Sequence, residues 1–141
     1  MDQGKALLGF ALVAGFGFFL EILGTHGGCY VYGPMYLGKL WLVPPCIVLM
    51  WGVLGWAAWA VYRKCRKYGG KKGVAAGLAT PLVLDAAISE PLAFYTGLWA
   101  WTGTVTARVW FSTVGNYLVY VWVAAFAIYV YRKLEAPECR V

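Results

Sequence analysis

The stretch from Leu40 to Tyr62, LWLVPPCIVLMWGVLGWAAWAVY, is followed at once by RKCRKYGGKK over 63–72. The first part carries no charge and matches the ~20 residues, at ~1.5 Å of rise each, that cross ~30 Å of hydrocarbon. The second part brings six basic residues within ten positions. An apolar run closed by a basic cluster predicts a transmembrane helix that ends on the cytoplasmic side.

Outward from that stretch lie three more apolar runs, from about Ala6 to Leu23, Val74 to Trp101 and Val114 to Tyr131. The Val74 run is the longest and contains Pro81 and Pro91. Proline lacks the N–H that a helix interior uses, so this helix is expected to be tilted, kinked or broken near Pro91. The chain opens MDQGK, and no small-residue cleavage site follows the first run. That run is expected to be a retained helix, not a signal peptide. Four crossings place the N-terminus, the 63–72 segment and the C-terminal tail on one side, with ten of the twelve basic residues. Only Lys39 and Arg108 fall on the other. The expected fold is therefore all-α: one integral membrane domain over 1–141, a polytopic bundle of four helices with both termini in the cytoplasm. The expected location is the cell membrane.

Composition agrees. Of 141 residues, 62% are hydrophobic and 13% charged, about half the charge of a soluble domain. A small soluble domain cannot hide so much apolar surface, and a disordered chain does not carry it. The net charge of +6 sits in short clusters between apolar runs, so it points to membrane orientation and not to nucleic acid. Four cysteines form no Cys-x-x-Cys pair, which signals neither a zinc site nor a redox motif. Cys29 and Cys46 both lie toward the outside, and their pairing stays open. Cys65 and Cys139 lie on the reducing side and are expected free. Tyr30, Tyr32, Tyr36, Trp41, Trp99, Trp101 and Trp110 gather at the outer helix ends, and Tyr62, Tyr68, Tyr129 and Tyr131 at the inner ends, as aromatic belts do. Trp99 and Trp101 read first as belt residues and could also line a cavity beside Glu90. Gly9, Gly15 and Gly17 allow helices to approach closely. Gly69, Gly70 and Gly73 read as a flexible basic turn.

The acids carry the chemistry. Asp2, Glu135 and Glu138 lie near the termini, whereas Glu21, Asp85 and Glu90 fall inside or at the edge of apolar runs. A carboxyl group at that depth usually faces a bundle interior or a wet cavity. Held neutral in an apolar pocket, it can donate a proton. Asp85 is placed near mid-membrane, with Glu90 and Glu21 in the outer half and His26 beyond them. On a regular helix Asp85 and Glu90 stand ~140° apart, so they converge on a shared hollow only if the backbone is irregular near Pro91. Each also has a plain structural reading. Asp85 could be interhelical glue, Glu90 could repair a kink, Glu21 could reach the interface, and His26 could be a solvated loop residue. Asn116 suits a helix cap or an interhelical bond. There is no Asp-rich diphosphate motif, which argues against a prenyltransferase, no Gly-x-Ser-x-Gly nucleophile motif, and no His-x-x-x-His spacing to support a metal.

Two blocks carry a family resemblance. FLEILGTHGGCYVYGPMYLGKLWLVPPCIVLMW joins Glu21, Gly24, Tyr30, Tyr32, Val43, Pro44 and Trp51, and LDAAISEPLAFYTGLWAW joins Asp85, Glu90, Pro91, Gly97, Trp99 and Trp101. Together they resemble the membrane carotenoid biosynthesis protein family, the group of the bacterioruberin-type carotenoid hydratases. The resemblance spans about 80 residues in two blocks. It departs at Leu42, where the family has glycine, and after Asn116, where the family's Phe-Leu-Gly-Trp becomes Tyr117, Leu118, Val119 and Tyr120.

The resemblance implies cofactor-free hydration of a terminal carbon–carbon double bond on a lipid-soluble isoprenoid that enters from the surrounding membrane lipid. Asp85 or Glu90 would donate the proton, and the other acid or Glu21 would orient water. Trp99, Trp101 and Tyr95 would steady the cation, with Tyr30, Tyr32 and Asn116 also against the substrate. Two rivals stay open: a lycopene cyclase-like subunit, and a non-catalytic membrane subunit or small transporter that uses the buried acids. Assembly with further copies, or with another chain, stays open too.

Overall fold

A computed structural model describes residues 1–34, 43–102, 108–109 (backbone) and 112–136. Tyr36, Lys39, Trp41, Leu42, Trp110 and Cys139 lie outside the described residues. Four helices are long and apolar enough to cross a membrane: Gln3–His26, Pro45–Tyr68, Gly70–Thr96 and Val114–Glu135. They form an all-α bundle.

The first, α1 (Gln3–His26), starts where the Asp2 side chain accepts from the Lys5 N–H at 2.8 Å, filling an otherwise orphaned donor. The second, α2 (Pro45–Cys65), carries its proline at the first helical turn, where no N–H is needed. It runs through a 3₁₀ turn at Arg66–Tyr68. The basic segment expected as a flexible turn is thus almost wholly helical. The chain reverses at Gly69, whose φ of +131° suits only glycine, and α3 (Gly70–Leu84) begins at the next residue. Gly73 is buried there against the Arg66 backbone. The third crossing then passes through a π-helical turn, Asp85–Ser89, into α4 (Glu90–Thr96).

The third run was expected to stay helical to Trp101, but it stops at Thr96. Gly97 adopts φ +68° as a left-handed cap. Beyond it, β2 (Trp99–Trp101) pairs antiparallel with β1 (Tyr30–Tyr32). Pairing satisfies backbone groups that a helix would otherwise have satisfied internally. A two-residue pair, β3 (Arg108–Val109) and β4 (Ser112–Thr113), leads into α5 (Val114–Glu135). The Thr113 hydroxyl caps α5 by accepting from the Asn116 N–H at 3.1 Å.

The helices pack small against large. Gly9 lies under the Tyr131 ring, Gly17 under Trp51, Gly52 under Phe10 and Gly55 against Val13. A Cβ at any of these positions would fall inside the facing side chain. Without a hydrophobic drive between helices in lipid, such close approach is what holds them together. Gly15, expected among these packing glycines, points outward and is exposed. Trp51, Trp59, Tyr131, Val13 and Val123 fill the centre. Leu12, Phe19, Leu49, Ile88, Phe94 and Trp122 stand exposed on the outside, as lipid-facing residues would. The contacts also fix the register. The start of α1, the end of α2, the start of α3 and the end of α5 meet at one basic end, where Arg63 pairs with Glu135 at 3.1 Å.

Gly17→Ala should destabilise the folded chain by about 1–3 kcal/mol, because Trp51 must move. Gly15→Ala has nothing within 4 Å to displace and should stabilise by up to about 1 kcal/mol. Thermal melts of the detergent-solubilised variants, followed by tryptophan fluorescence, measure both. Equal shifts would refute the packing seam.

Candidate functional site

The end of the bundle away from the basic cluster holds two carboxyl groups in one small cavity. Glu21, on the last turns of α1, is 7% exposed, and Glu90, at the start of α4, is 2% exposed. Both line a cavity of about 20 Å³. A single water needs ~10–15 Å³ on the same measure, so the space is water-sized.

Each acid is supplied with donors from distant parts of the chain. Gly17 and Glu21 are one helical turn apart on α1 and share a face. Because Gly17 has no side chain, Trp51 of α2 can lie across it. The Trp51 indole then donates to Glu21 Oε1 at 2.8 Å. The hydroxyls of Tyr30 and Tyr32 both donate to Glu21 Oε2. Strand alternation explains how two residues of β1 reach one acid, since positions i and i+2 face the same way. Val31 between them faces out and is exposed.

Glu90 is served likewise. Its Oε1 accepts from Ser112 Oγ and from Asn116 Nδ2, each at 2.9 Å. Its Oε2 accepts from the Trp101 indole at a longer 3.3 Å. Asn116 Nδ2 also donates to Ser112 Oγ at 2.7 Å. Asn116 is therefore an interhelical bond; Thr113 makes the cap. The register of the ribbon sets Trp101 opposite Tyr30 and Trp99 opposite Tyr32. The Tyr30 and Trp101 rings meet edge to face at 5.2 Å. One aromatic wall thus joins the two acids, with Trp99 also on the cavity. Trp99 and Trp101 line the site as strand residues, of the two positions open to them.

Asp85 stands apart. It is fully buried (0% exposed), yet it is not among the described residues lining the cavity. Neither of its carboxyl oxygens has a hydrogen-bond partner among the described residues. The Tyr120 hydroxyl faces it without reaching hydrogen-bond geometry, and Tyr120 itself lines the cavity. The hollow expected between Asp85 and Glu90 is instead shared by Glu21 and Glu90, with Asp85 behind Tyr120. The reason is the π turn. The Glu90 N–H bonds to the Asp85 carbonyl, five residues back, which widens the turn and buries both side chains. Their carboxyls still leave the helix at different heights.

Tyr95 is a correction. It was expected at the cation site, but it is 77% exposed and points away from the cavity. It lies on α4 five residues past Glu90, where the helix is regular again and five steps do not return to one face. His26 ends α1 and is exposed. Cys29, Cys46 and Cys65 are free. No group of three or more His, Cys, Asp or Glu side chains converges among the described residues. Ser112, Tyr120 and the cavity-lining Met50 were not expected at the site. The spacing Ser112-x-x-x-Asn116, one turn across a helix start, was the available signal for Ser112. Tyr120 had none beyond its place one turn after Asn116.

Tyr30 and Tyr32 lie outside the membrane-spanning helices. Burial first, and the Glu21 carboxylate second, push both phenols well above their ordinary range. Such groups contribute stability that is whole below the unfolded pKa of ~10 and is lost as pH rises beyond it. The melting temperature should therefore fall above pH ~10, with part of that fall removed in the Tyr30→Phe/Tyr32→Phe variant. At neutral pH the same variant should lose about 1–3 kcal/mol for each donor taken from Glu21. Alkaline melts with tyrosinate absorbance check both; an unchanged alkaline limb would refute the buried pair. Comparison of the chain with protein-family models, with curated proteins and with solved structures finds no match.

Proposed function

We propose that this chain is a membrane enzyme that adds water across a terminal double bond of a long isoprenoid, a carotenoid hydratase-like lyase seated in the cell membrane. The observation that carries this reading is the pairing of Glu21 and Glu90, from separate helices, across one aromatic-walled cavity of water size. The two-block sequence resemblance supports it.

The roles follow from the donors. Glu90 Oε2 makes a longer hydrogen bond, at 3.3 Å, than Oε1 makes to Ser112 and Asn116, so it is the oxygen assigned to hold and deliver the proton. Transfer to the CH carbon of the terminal double bond leaves a tertiary cation on its dimethyl carbon and a carboxylate on Glu90. The faces of Trp99, Trp101 and Tyr30 steady that cation. A cavity water attacks it and forms the new C–O bond. Its surplus proton passes to Glu21, whose two oxygens are held in place by Trp51, Tyr30 and Tyr32. Return of that proton to Glu90 closes the cycle, and the net change is one water added. Asp85, behind Tyr120, acts on the site through that phenol as a positioning residue. An isoprenoid end is larger than the cavity, so the ribbon of β1 and β2 must yield when substrate enters from lipid.

Expression in a host that accumulates an acyclic carotenoid, with pigments analysed by mass, tests the reading. A gain of one water is the expected result. Glu90→Gln should lower the rate by about 10²–10⁴-fold with folded protein retained, and Asp85→Asn should lower it less. An isomeric ring product would replace the reading with cyclisation. Unchanged pigments, with folded protein in the membrane, would overturn it.

A further inference from the structure

At the opposite, basic end, α3 and α5 leave a groove that the proposed chemistry does not use. One part is lined by Val74, Leu78, Ile128, Tyr129, Arg132 and Lys133, among others. The adjoining part shares Val74, Leu78 and Arg132 and adds Lys71 and Tyr62. Each part has a volume of about 540 Å³, within the ~300–1,000 Å³ of ligand sites.

Its polarity is graded along the helices. Lys71, Arg132 and Lys133 stand exposed at the mouth. Leu78 lies seven residues into α3 from Lys71, which is ~10 Å deeper at ~1.5 Å per residue. Ile128 lies a turn deeper than Arg132. The groove thus passes from a cationic mouth to an apolar floor over about the depth at which a lipid passes from phosphate to acyl chain. No acid is among its described lining residues. Glu135, the acid nearest in sequence to Arg132, is committed to Arg63. Among the described residues no carboxylate pairs with Lys71, Arg132 or Lys133.

We infer that this groove binds one anionic glycerophospholipid of the inner leaflet, with its phosphate at Arg132, Lys133 and Lys71 and an acyl chain along Val74, Leu78 and Ile128. Arg132 belongs to both parts of the groove and offers a planar fork suited to two phosphate oxygens. Lys133 and Lys71 supply point charges on either side. A zwitterionic lipid presents the same phosphate with its own cation attached, so it gains less from three basic groups that no carboxylate neutralises among the described residues.

Native mass spectrometry of the detergent-solubilised chain, titrated with phosphatidylglycerol or with phosphatidylcholine, tests the assignment. Wild type should retain one phosphatidylglycerol and prefer it over phosphatidylcholine. The triple variant Lys71→Gln/Arg132→Gln/Lys133→Gln should lose affinity on the order of 100-fold, at about fivefold for each basic residue near an anionic headgroup. A control with equal charge loss at residues that line neither part of the groove, Lys64→Gln/Arg66→Gln/Lys67→Gln, should keep the preference. Melting temperatures of both variants confirm that they fold. Equal losses in the two variants would mean diffuse surface charge and overturn the site. So would no preference between the two lipids. Full competition by millimolar inorganic phosphate would assign the mouth to free phosphate and overturn the lipid.

Discussion

A carboxyl group carried to the height of the apolar helices has to be given hydrogen-bond donors, and most of the site end follows from how Glu21 and Glu90 obtain theirs. Glu21 draws on Trp51 of α2 and on two phenols of β1. Glu90 draws on β2, on Ser112 and on α5. Together the two acids tie all four crossings at one end. Each buried partner withheld costs about 1–3 kcal/mol, so the same contacts that compose the site also fasten the bundle. The packing seam makes this reachable: Gly17 lets Trp51 come close enough to serve an acid one turn further along α1.

The π turn at Asp85–Ser89 answers a conflict built into the third crossing. Pro91 cannot donate, and its ring crowds the carbonyl one turn back in a regular helix. Widening the turn relieves that crowding and carries Glu90 round to the buried side. Asp85 remains fully buried, with neither oxygen hydrogen-bonded among the described residues. That is a costly arrangement for a purely structural residue, and π turns recur at functional positions. Tyr120 stands between it and the cavity that Tyr120 itself lines.

The two ends of the molecule differ in charge. One gathers acids behind an aromatic ribbon, and the other gathers cations around an apolar groove. Between them, Gly9, Gly52 and Gly55 hold the helices close while large side chains face outward. The outward face of Phe19, Leu49 and Trp122 would be a liability in water and is at home in hydrocarbon.

Much of this was legible in the residues alone. The four apolar runs, the basic clusters and three acids inside apolar stretches specify a membrane bundle, because hydrocarbon demands long uncharged helices and makes each buried acid conspicuous. The irregularity near Pro91 was also readable, since a missing N–H has only local remedies. The ribbon was not. Trp99 and Trp101 continue an apolar run, and only pairing with Tyr30 and Tyr32, nearly seventy positions away, turns them from belt residues into a cavity wall. Tyr95 looked equivalent to them in one dimension and lies on the far face in three. Which acids share a cavity was likewise decided by tertiary structure. The apolar runs set Glu21, Asp85 and Glu90 inside or at the edge of helices, but only the meeting of α1, α2, α4 and α5 determines that they are buried and which donors reach each one.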